Sequence, residues 1–400
     1  MKYIVILADG MADYPSDALG GKTPMEIAEK PVIDSLAAKG EQFLVKTVPD
    51  HLKPGSDVAN LTVMGYNTKD VYTGRSPLEA ASIGVSLSEN ETSFRANLVS
   101  LGGEGDYASL SMLDYSAGEI STEEARALIS TLQEKLVRKN ISLYPGISYR
   151  HLLVWKDAED FGTLTPPHDI SDKPVRDYLP QNEMLFGIMQ ESREILKDHP
   201  VNIARREKGL RTADSLWIWG EGTKPALSDF YEMHHKRGAV ISAVDLVRGI
   251  GFLAGMQIID VPGVTGNIDT NFEGKAKACV RTLLEDGNDF VYVHMEAPDE
   301  CGHRGEAENK VKSIALIDTF VVKYIVESLN AAGEDFRMLI LPDHPTPICT
   351  KTHARDPVPC LLYDSRNPRN GKAEFTEKSA TGSTLVDPGY TLMRTFLEEK

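Results

Sequence analysis

Residues 291–303 read VYVHMEAPDECGH, and this stretch decides the fold because it joins a strand pattern to the start of a helix. The apolar run from Phe290 to Val293 is typical of a buried strand. If a helix begins near Pro298, the four-residue spacing of Asp299 and His303 places both side chains on one helix face. Carboxylate oxygens and imidazole nitrogens are ligands of divalent metals, so this face predicts part of a metal site.

A second apolar run, Met338 to Leu341, ends in Asp343 and His344, and His353 follows shortly after. Sheets of α/β proteins place their ligands at the carboxyl ends of strands, so the two clusters are expected to converge. Five ligands are too many for one tetrahedral ion that keeps an open position, which favours two ions close together, as in sites that hold a phosphoryl group in transit. Each cluster alone is more typical of a solvated helix face or a capped turn, and only their joint position favours the metal site.

The N-terminal run from Tyr3 to Ala8 predicts a central parallel strand that is buried on both faces. It ends in Asp9, which in isolation is equally typical of a turn or cap. Beside a metal centre we expect Asp9 to be a sixth ligand. The amphipathic pattern that follows predicts one helix, opening at Thr23 and Pro24 and closing at Gly40.

Ser56 follows a turn signal, Pro54-Gly55, and precedes the apolar segment 58–64. We therefore place it at or near a helix N-terminus, where free N–H groups and the helix dipole favour an anionic group. Such a position suits a serine that becomes phosphorylated. The alternative is an ordinary N-cap serine.

These residues carry a family resemblance. In order and character, the two-metal pattern of the alkaline phosphatase superfamily is matched by Asp9, Ser56, Asp299, His303, Asp343, His344 and His353. More narrowly, the chain resembles the archaeal type of cofactor-independent (2,3-bisphosphoglycerate-independent) phosphoglycerate mutases over residues 2–365. The most specific segments for this resemblance are YVHMEAPDECGH, PDHPTP and KTHARDPVP.

The resemblance implies an α/β fold: an alkaline phosphatase-like, doubly wound, mostly parallel sheet core with an inserted smaller α+β lid domain. It also implies the ligand sets. One ion would be held by Asp299, His303 and His353. The other would be held by Asp9, Ser56, Asp343 and His344, with Ser56 as the nucleophile. Manganese is the expected metal, with magnesium, zinc and cobalt left open, and no 2,3-bisphosphoglycerate is required.

The sequence pattern changes between residues 71 and 224, where strand, helix and loop patterns alternate and no metal motif occurs. This change predicts an inserted domain. The core would then comprise residues 1–70 and 225–400. Within the lid, we expect Arg150 and His151 to be catalytic and to bind substrate. The remaining expected substrate-binding residues are Arg205, Arg206 and Lys224. Guanidinium groups match the phosphate and carboxylate of a small phosphorylated acid.

The amino-acid composition limits the kinds of binding partner that we expect for this chain. The net charge of −16 argues against binding to nucleic acid or an acidic membrane, and no stretch reaches 18 apolar residues. Four cysteines without a C-x-x-C spacing indicate reduced thiols in a cytoplasmic protein. The sequence leaves the oligomeric state open.

The predicted reaction is the interconversion of 3-phosphoglycerate and 2-phosphoglycerate through a phosphoserine, a step of glycolysis and gluconeogenesis. The alternatives are a metal-dependent phosphatase or phosphodiesterase, or a phosphotransferase resembling homoserine kinase. No glycine-rich nucleotide motif supports the kinase. The lid segments match the mutases, which favours the first reaction.

Overall fold

A computed structural model describes residues 1–136 and 138–398 of the chain. Its strands are β1 (Lys2–Ala8), β2 (Glu41–Val45), β3 (Glu91–Gly102), β4 (Ser111–Asp114), β5 (Ile141–Tyr144), β6 (Arg150–Lys156), β7 (Ser215–Thr223), β8 (Gly238–Ile241), β9 (Gln257–Ile258), β10 (Phe290–Met295), β11 (Phe336–Leu341), β12 (Val358–Asp364) and β13 (Leu385–Val386). Its α-helices are α1 (Pro24–Ile27), α2 (Pro31–Ala37), α3 (Ser56–Val63), α4 (Thr68–Val71), α5 (Ser76–Ser82), α6 (Thr122–Lys135), α7 (Glu183–Leu196), α8 (Pro200–Glu207), α9 (Phe230–His234), α10 (Asp245–Leu253), α11 (Phe272–Leu284), α12 (Ala297–Arg304), α13 (Ala307–Leu316), α14 (Lys323–Ala332), α15 (Glu377–Ala380) and α16 (Thr391–Leu397).

The chain divides into two compact units, here called the core unit (1–72 and 226–400) and the inserted unit (73–225). The core unit contains an eight-stranded sheet in the order β13-β2-β12-β11-β1-β10-β8-β9. Strand β12 runs antiparallel to both neighbours, and the other pairs are parallel. The sheet is therefore mostly parallel, as predicted.

Strand β1 shows why both faces of this sheet are covered. Ile4 and Ile6 belong to a buried cluster with Ile314 of α13. On the opposite face, Tyr3 packs edge-on against Phe396 of α16, with ring centroids 5.6 Å apart. Fully burying one such aliphatic side chain contributes about 1.5–3 kcal/mol, so a strand that is apolar and buried from Tyr3 to Ala8 is stable only between two helical layers. The doubly wound α/β prediction is confirmed.

Two helix predictions need correction in detail. The segment from Thr23 to Gly40 forms two helices, not one: α1 ends at Ile27 and α2 begins at Pro31. Proline lacks the N–H that a continuous helix would need there, and its ring clashes with the preceding turn. The amphipathic pattern from Ala307 onwards predicts one long helix closed by Gly333, whereas the structure interrupts it with a π-helical segment, residues 317–322, between α13 and α14.

The inserted unit is an α+β structure built on an antiparallel sheet of five strands, β3 to β7. Alternate residues of β6 face opposite layers. Leu153 and Trp155 join the main cluster with residues of α6 and α7, whereas Leu152 and Val154 pack with Ala80 of α5. Within the described ranges of both units, no helix has the length and apolarity to cross a membrane.

Candidate functional site

The candidate site lies at the carboxyl ends of three neighbouring strands of the core unit. Strand β1 lies between β11 and β10, and all three run parallel. Asp9 follows β1, Asp343 follows β11, and Asp299 lies on α12, which follows β10. Parallel neighbours bring their carboxyl ends to one edge, which is why carboxylates far apart in sequence meet here.

One group of potential ligands comprises Asp9, Asp343 and His344, whose ligand atoms all lie within 4.8 Å of one another. His344 Nε2 lies 3.3 Å from Asp343 Oδ2 and 3.7 Å from Asp9 Oδ1. The three side chains are buried. Ser56 is the first residue of α3, and its Oγ lies 3.1 Å from His344 Nε2.

A second group comprises Asp299, His344 and His353. His303 lies beside it, with Nε2 3.2 Å from Asp299 Oδ2 and 2.9 Å from His353 Nε2. The sequence assigned His344 to one ion only, whereas its ring borders both groups. The structure thus brings all seven predicted ligands into one region.

The charge balance of this region fits bound cations. Asp9 Oδ1 is buried and accepts no hydrogen bond from the residues that the structure describes. Burial and the charges of Asp343 and Asp299 raise the pKa of Asp9 well above its usual range. Although burial lowers it, the pKa of His303 rises to about 9 because of the hydrogen bond and the charge of Asp299. A buried excess of carboxylate with oxygen and nitrogen donors is the arrangement that first-row divalent ions neutralise.

Comparison with known proteins identifies the family. A profile described as 2,3-bisphosphoglycerate-independent phosphoglycerate mutase matches residues 37–202. A protein of that name from Methanosarcina barkeri is 48% identical over 390 residues, which is 96% of each chain. The chain belongs to the 2,3-bisphosphoglycerate-independent phosphoglycerate mutase family.

Two solved structures agree with this membership. A cofactor-independent phosphoglycerate mutase from Thermoplasma acidophilum is 25% identical, with a TM-score of 0.65 and 99% of each chain covered. A protein from Pyrococcus horikoshii is 27% identical, with a TM-score of 0.82, and the match covers 100% of this chain and 98% of that one. The likeness extends over both units.

Sequence reasoning missed several supports of the ligands in this family member. Asn60 donates to Asp343 Oδ2 at 3.1 Å and to the Ser56 carbonyl at 2.8 Å, and it accepts from the Tyr292 hydroxyl at 2.7 Å. Asn60 could have been found from the sequence, because it lies four residues after Ser56 and therefore on the same helix face. Such outer partners orient the groups that bind metals.

His294 supports Asp9 in a similar way. Its Nε2 lies 2.9 Å from Asp9 Oδ2, while Nδ1 lies 3.2 Å from the Ser242 hydroxyl. Burial, assisted by the charge of Lys275, lowers the pKa of His294 to about 3. The ring is therefore neutral, and its Nε2 shares a hydrogen bond with the Asp9 carboxyl group.

The inserted unit corrects part of the predicted substrate-binding set. The guanidinium of Arg205 is buried and donates to the Arg211 carbonyl, Glu124 and the Ala117 carbonyl at 2.7, 2.7 and 2.8 Å. These internal partners give Arg205 a structural role, not a ligand-binding one. Arg206 and Lys224 are exposed, with contacts to the Lys197 carbonyl and to Glu89.

Arg150 and His151 do not form one binding face. They are consecutive on β6, so their side chains point to opposite sides of the sheet, and Arg150 is exposed whereas His151 is buried. His151 Nδ1 accepts from the Gly146 N–H at 3.0 Å, so the ring proton lies on Nε2. That buried Nε2 has no partner among the described residues, and burial lowers the pKa of His151 to about 3.

The face of β6 that carries Arg150 has a cationic cluster that the sequence did not reveal. We call it the arginine cluster; its members are Arg75, Arg95, Arg150 and the single carboxylate Glu79. Arg75 Nε lies 2.8 Å from Glu79 Oε1. Arg95 Nε lies 2.9 Å from Oε2, as an ion pair and not an aligned hydrogen bond. The Arg95 guanidinium also stacks 4.2 Å from the Trp219 ring centre.

Members of the arginine cluster shift one another's pKa values. Burial raises the pKa of Glu79, but the charges of Arg95 and Arg75 outweigh that effect and lower it. Burial and the charges of Arg75 and Arg150 lower the pKa of Arg95 to about 10. The three guanidinium groups thus lie close enough to influence Glu79 and one another.

Proposed function

We propose that this chain interconverts 3-phosphoglycerate and 2-phosphoglycerate by passing the phosphoryl group through Ser56. The observation that carries the proposal is the position of Ser56 Oγ on the first turn of α3, 3.1 Å from the imidazole that borders both ligand groups. The free N–H groups of that turn favour the charge of a phosphoserine. The names of the relatives support the substrate.

We propose that one divalent ion is held by Asp9, Ser56, Asp343 and His344. The other would be held by Asp299, His303 and His353. Manganese is our first choice, and magnesium, zinc and cobalt use the same donors. Bound there, such ions supply neutralisation of phosphoryl charge and a lowered pKa for the serine hydroxyl. The proposal requires no 2,3-bisphosphoglycerate.

In the first half-reaction, Ser56 Oγ forms a bond to phosphorus and the ester bond to the glycerate oxygen breaks. The proton lost by Ser56 ends on that glycerate oxygen, so the products are phosphoserine and glycerate. In the second half-reaction, the other hydroxyl of glycerate attacks phosphorus, the Ser56 ester breaks, and the serine regains a proton. Asn60 holds both the Ser56 carbonyl and Asp343, which fixes the nucleophile against its surroundings.

The inserted unit has to retain glycerate between these steps, because released glycerate would leave phosphoserine to water. We propose that the arginine cluster binds the acid through its carboxylate, since guanidinium groups bind carboxylates with charge-assisted, often bidentate hydrogen bonds. Arg150 is exposed on this face and is a direct contact in this proposal. His151 stays a predicted proton carrier. A cytoplasmic location also stays a prediction.

The test is to incubate the Mn²⁺-loaded protein with 3-phosphoglycerate and to follow 2-phosphoglycerate and free phosphate together. We expect 2-phosphoglycerate to accumulate to equilibrium with little free phosphate. Free phosphate without 2-phosphoglycerate would assign the hydrolase alternative. Transfer to homoserine, offered as a competing acceptor, would assign the phosphotransferase alternative.

A further inference from the structure

Lys310 is a fully buried lysine on α13, the helix that follows the ligand-bearing α12. Its ammonium group donates to Asp13 Oδ2 at 2.7 Å, to the Thr346 carbonyl at 2.8 Å and to the Ala12 carbonyl at 3.3 Å. A lysine ammonium has three N–H groups, so all of them have acceptors. Burying a charge costs free energy of desolvation, and such a group is retained where its geometry matters or where its removal would leave a partner uncompensated.

The acceptors of Lys310 belong to two loops that carry predicted ligands. Ala12 and Asp13 follow β1 and Asp9, whereas Thr346 follows β11, Asp343 and His344. Asp13 adds a second connection, since both its carboxylate oxygens lie 3.2 Å from the Ile348 N–H. The Thr346 N–H also donates to the Ala12 carbonyl at 3.2 Å. The Lys310–Asp13 pair therefore fastens the β1 loop to the β11 loop.

Thr346 extends this connection to the third ligand-bearing segment. Its hydroxyl donates to the Asp299 carboxylate and lies 3.2 Å from His344 Nδ1. The Thr346 carbonyl packs so closely on α12 that a Cβ added at Gly302 would lie 2.4 Å from it. Moving the Thr346 backbone would thus move the contacts of Asp299 and His344 together.

We propose that Lys310 is a positioning residue of the two-ion site: through the Thr346 carbonyl and Asp13 it holds Asp9, Asp299 and His344 in register. This inference rests on the proposed function only in that the ligands hold ions. Outer contacts that orient ligands typically change metal affinity by about tenfold to a hundredfold when they are removed. A pair that serves stability alone would leave affinity unchanged, because apolar replacements of buried ion pairs are often tolerated.

The experiment uses the full chain with Lys310→Met, which keeps the volume and removes the three donors. Mn²⁺ binding is measured by electron paramagnetic resonance of the free ion, and unfolding of the metal-free protein is measured in parallel. We expect the Mn²⁺ dissociation constant to rise about tenfold to a hundredfold. Lys30→Met is the matched control, because Lys30 is also buried and pairs with Asp34 at 3.1 Å on α2. It should leave Mn²⁺ affinity unchanged.

A double variant, Lys310→Met with Asp13→Asn, separates positioning from charge burial. In the single variant the Asp13 carboxylate is buried without its cation. The double variant removes that carboxylate, so we expect its stability to recover and the chain to fold. The Thr346 carbonyl still lacks its donor, so Mn²⁺ affinity should stay weak. Wild-type affinity in the single or the double variant would overturn this inference alone. A wild-type protein that binds no Mn²⁺ would instead overturn the proposed two-ion site.

Discussion

Two largely buried histidines, one in each unit, respond oppositely to their surroundings. Burial disfavours the charged ring in both cases. In the core unit, the Asp299 carboxylate reverses that effect and raises the pKa of His303 to about 9. In the inserted unit, His151 receives the Gly146 N–H and faces no carboxylate, and burial lowers its pKa to about 3. His303 is also less buried than His151, but lesser burial alone cannot raise a pKa above its ordinary value, so the neighbouring carboxylate sets the direction of the shift.

The same contrast holds for the two charged clusters. In the core unit, Asp9, Asp299 and Asp343 meet at the strand ends, with neutral His294 and the ligand histidines around them. In the inserted unit, three arginines surround Glu79. Uncompensated charge is costly in a protein interior, so the carboxylates of the core unit indicate a cationic ligand, and our proposal places an anionic ligand at the arginine cluster. Cations fit the first cluster, and an anionic acid fits the second.

The largest expected effect comes from removing the nucleophile of the core unit. We predict that Ser56→Ala lowers mutase activity by at least about a thousandfold, because the covalent route disappears. The carboxylate and imidazole ligands remain, so Mn²⁺ should still bind. Mass spectrometry after acid quenching with 3-phosphoglycerate should find phosphate on Ser56 of the wild-type chain and none on the variant.

Ser35→Ala is the matched control, because Ser35 is an exposed serine of α2 whose hydroxyl donates to the Val32 carbonyl of the same helix. It should retain activity. Near wild-type turnover in Ser56→Ala would remove the phosphoserine from the mechanism.

Most of the core-unit cluster was readable in the sequence, because Asp9, Asp343 and His344 follow apolar strands, and Asp299 and His303 lie on the helix that follows another. Asp9, Asp299 and Asp343 needed only the rule that parallel strands end together. The sequence could not show that His344 borders both groups of potential ligands, since this depends on distances between loops. Asn60 could have been found, because its spacing from Ser56 on α3 is one turn.

The arginine cluster could not be read from the sequence. Arg95 and Arg150 lie on strands β3 and β6, and only the register of this pair, with Arg95 opposite Leu152, brings them to the α5 face. The prediction that Arg205 binds substrate arose for a related reason, since the sequence does not show whether a basic residue near a helix end is exposed. The alternation of β6 likewise separates Arg150 from His151, although the two are adjacent in sequence.

A smaller effect is expected from weakening the arginine cluster. Arg150→Ala should lower mutase activity by about tenfold to a hundredfold, the range expected for losing a hydrogen bond to a charged group. Hydrolysis of a generic phosphate ester should fall much less, because it needs no retained acid. The ratio of phosphatase to mutase activity should therefore rise, and a coupled assay of both products measures it.

Arg126→Ala is the matched control for Arg150→Ala, because it removes an exposed arginine of α6 from the same unit, at a place outside the arginine cluster. Its mutase activity should equal that of the wild-type chain. Equal losses of both activities in Arg150→Ala would argue that Arg150 supports the fold and does not hold the acid.

The smallest expected effect concerns the titration of His151 and is measured as a change in stability. The pKa of His151 is about 3 in the folded protein against 6.5 for an ordinary histidine, so below pH 6.5 the unfolded chain binds a proton that the folded chain does not. The stability tied to this difference is fully present above pH 6.5 and is lost as the pH falls from 6.5 towards 3, by about 1.4 kcal/mol per pH unit.

His151→Asn keeps an acceptor for the Gly146 N–H but does not titrate. All three tryptophans, Trp155, Trp217 and Trp219, lie in the inserted unit, so urea unfolding followed by tryptophan fluorescence reports on that unit. The variant should be less stable than the wild type at pH 7.5, and the gap should narrow by about 1.4 kcal/mol for each pH unit below 6.5. A gap that stays constant down to pH 5 would mean that the folded protein protonates His151 as easily as the unfolded chain does, and the contrast with His303 would then have to rest on His303 alone.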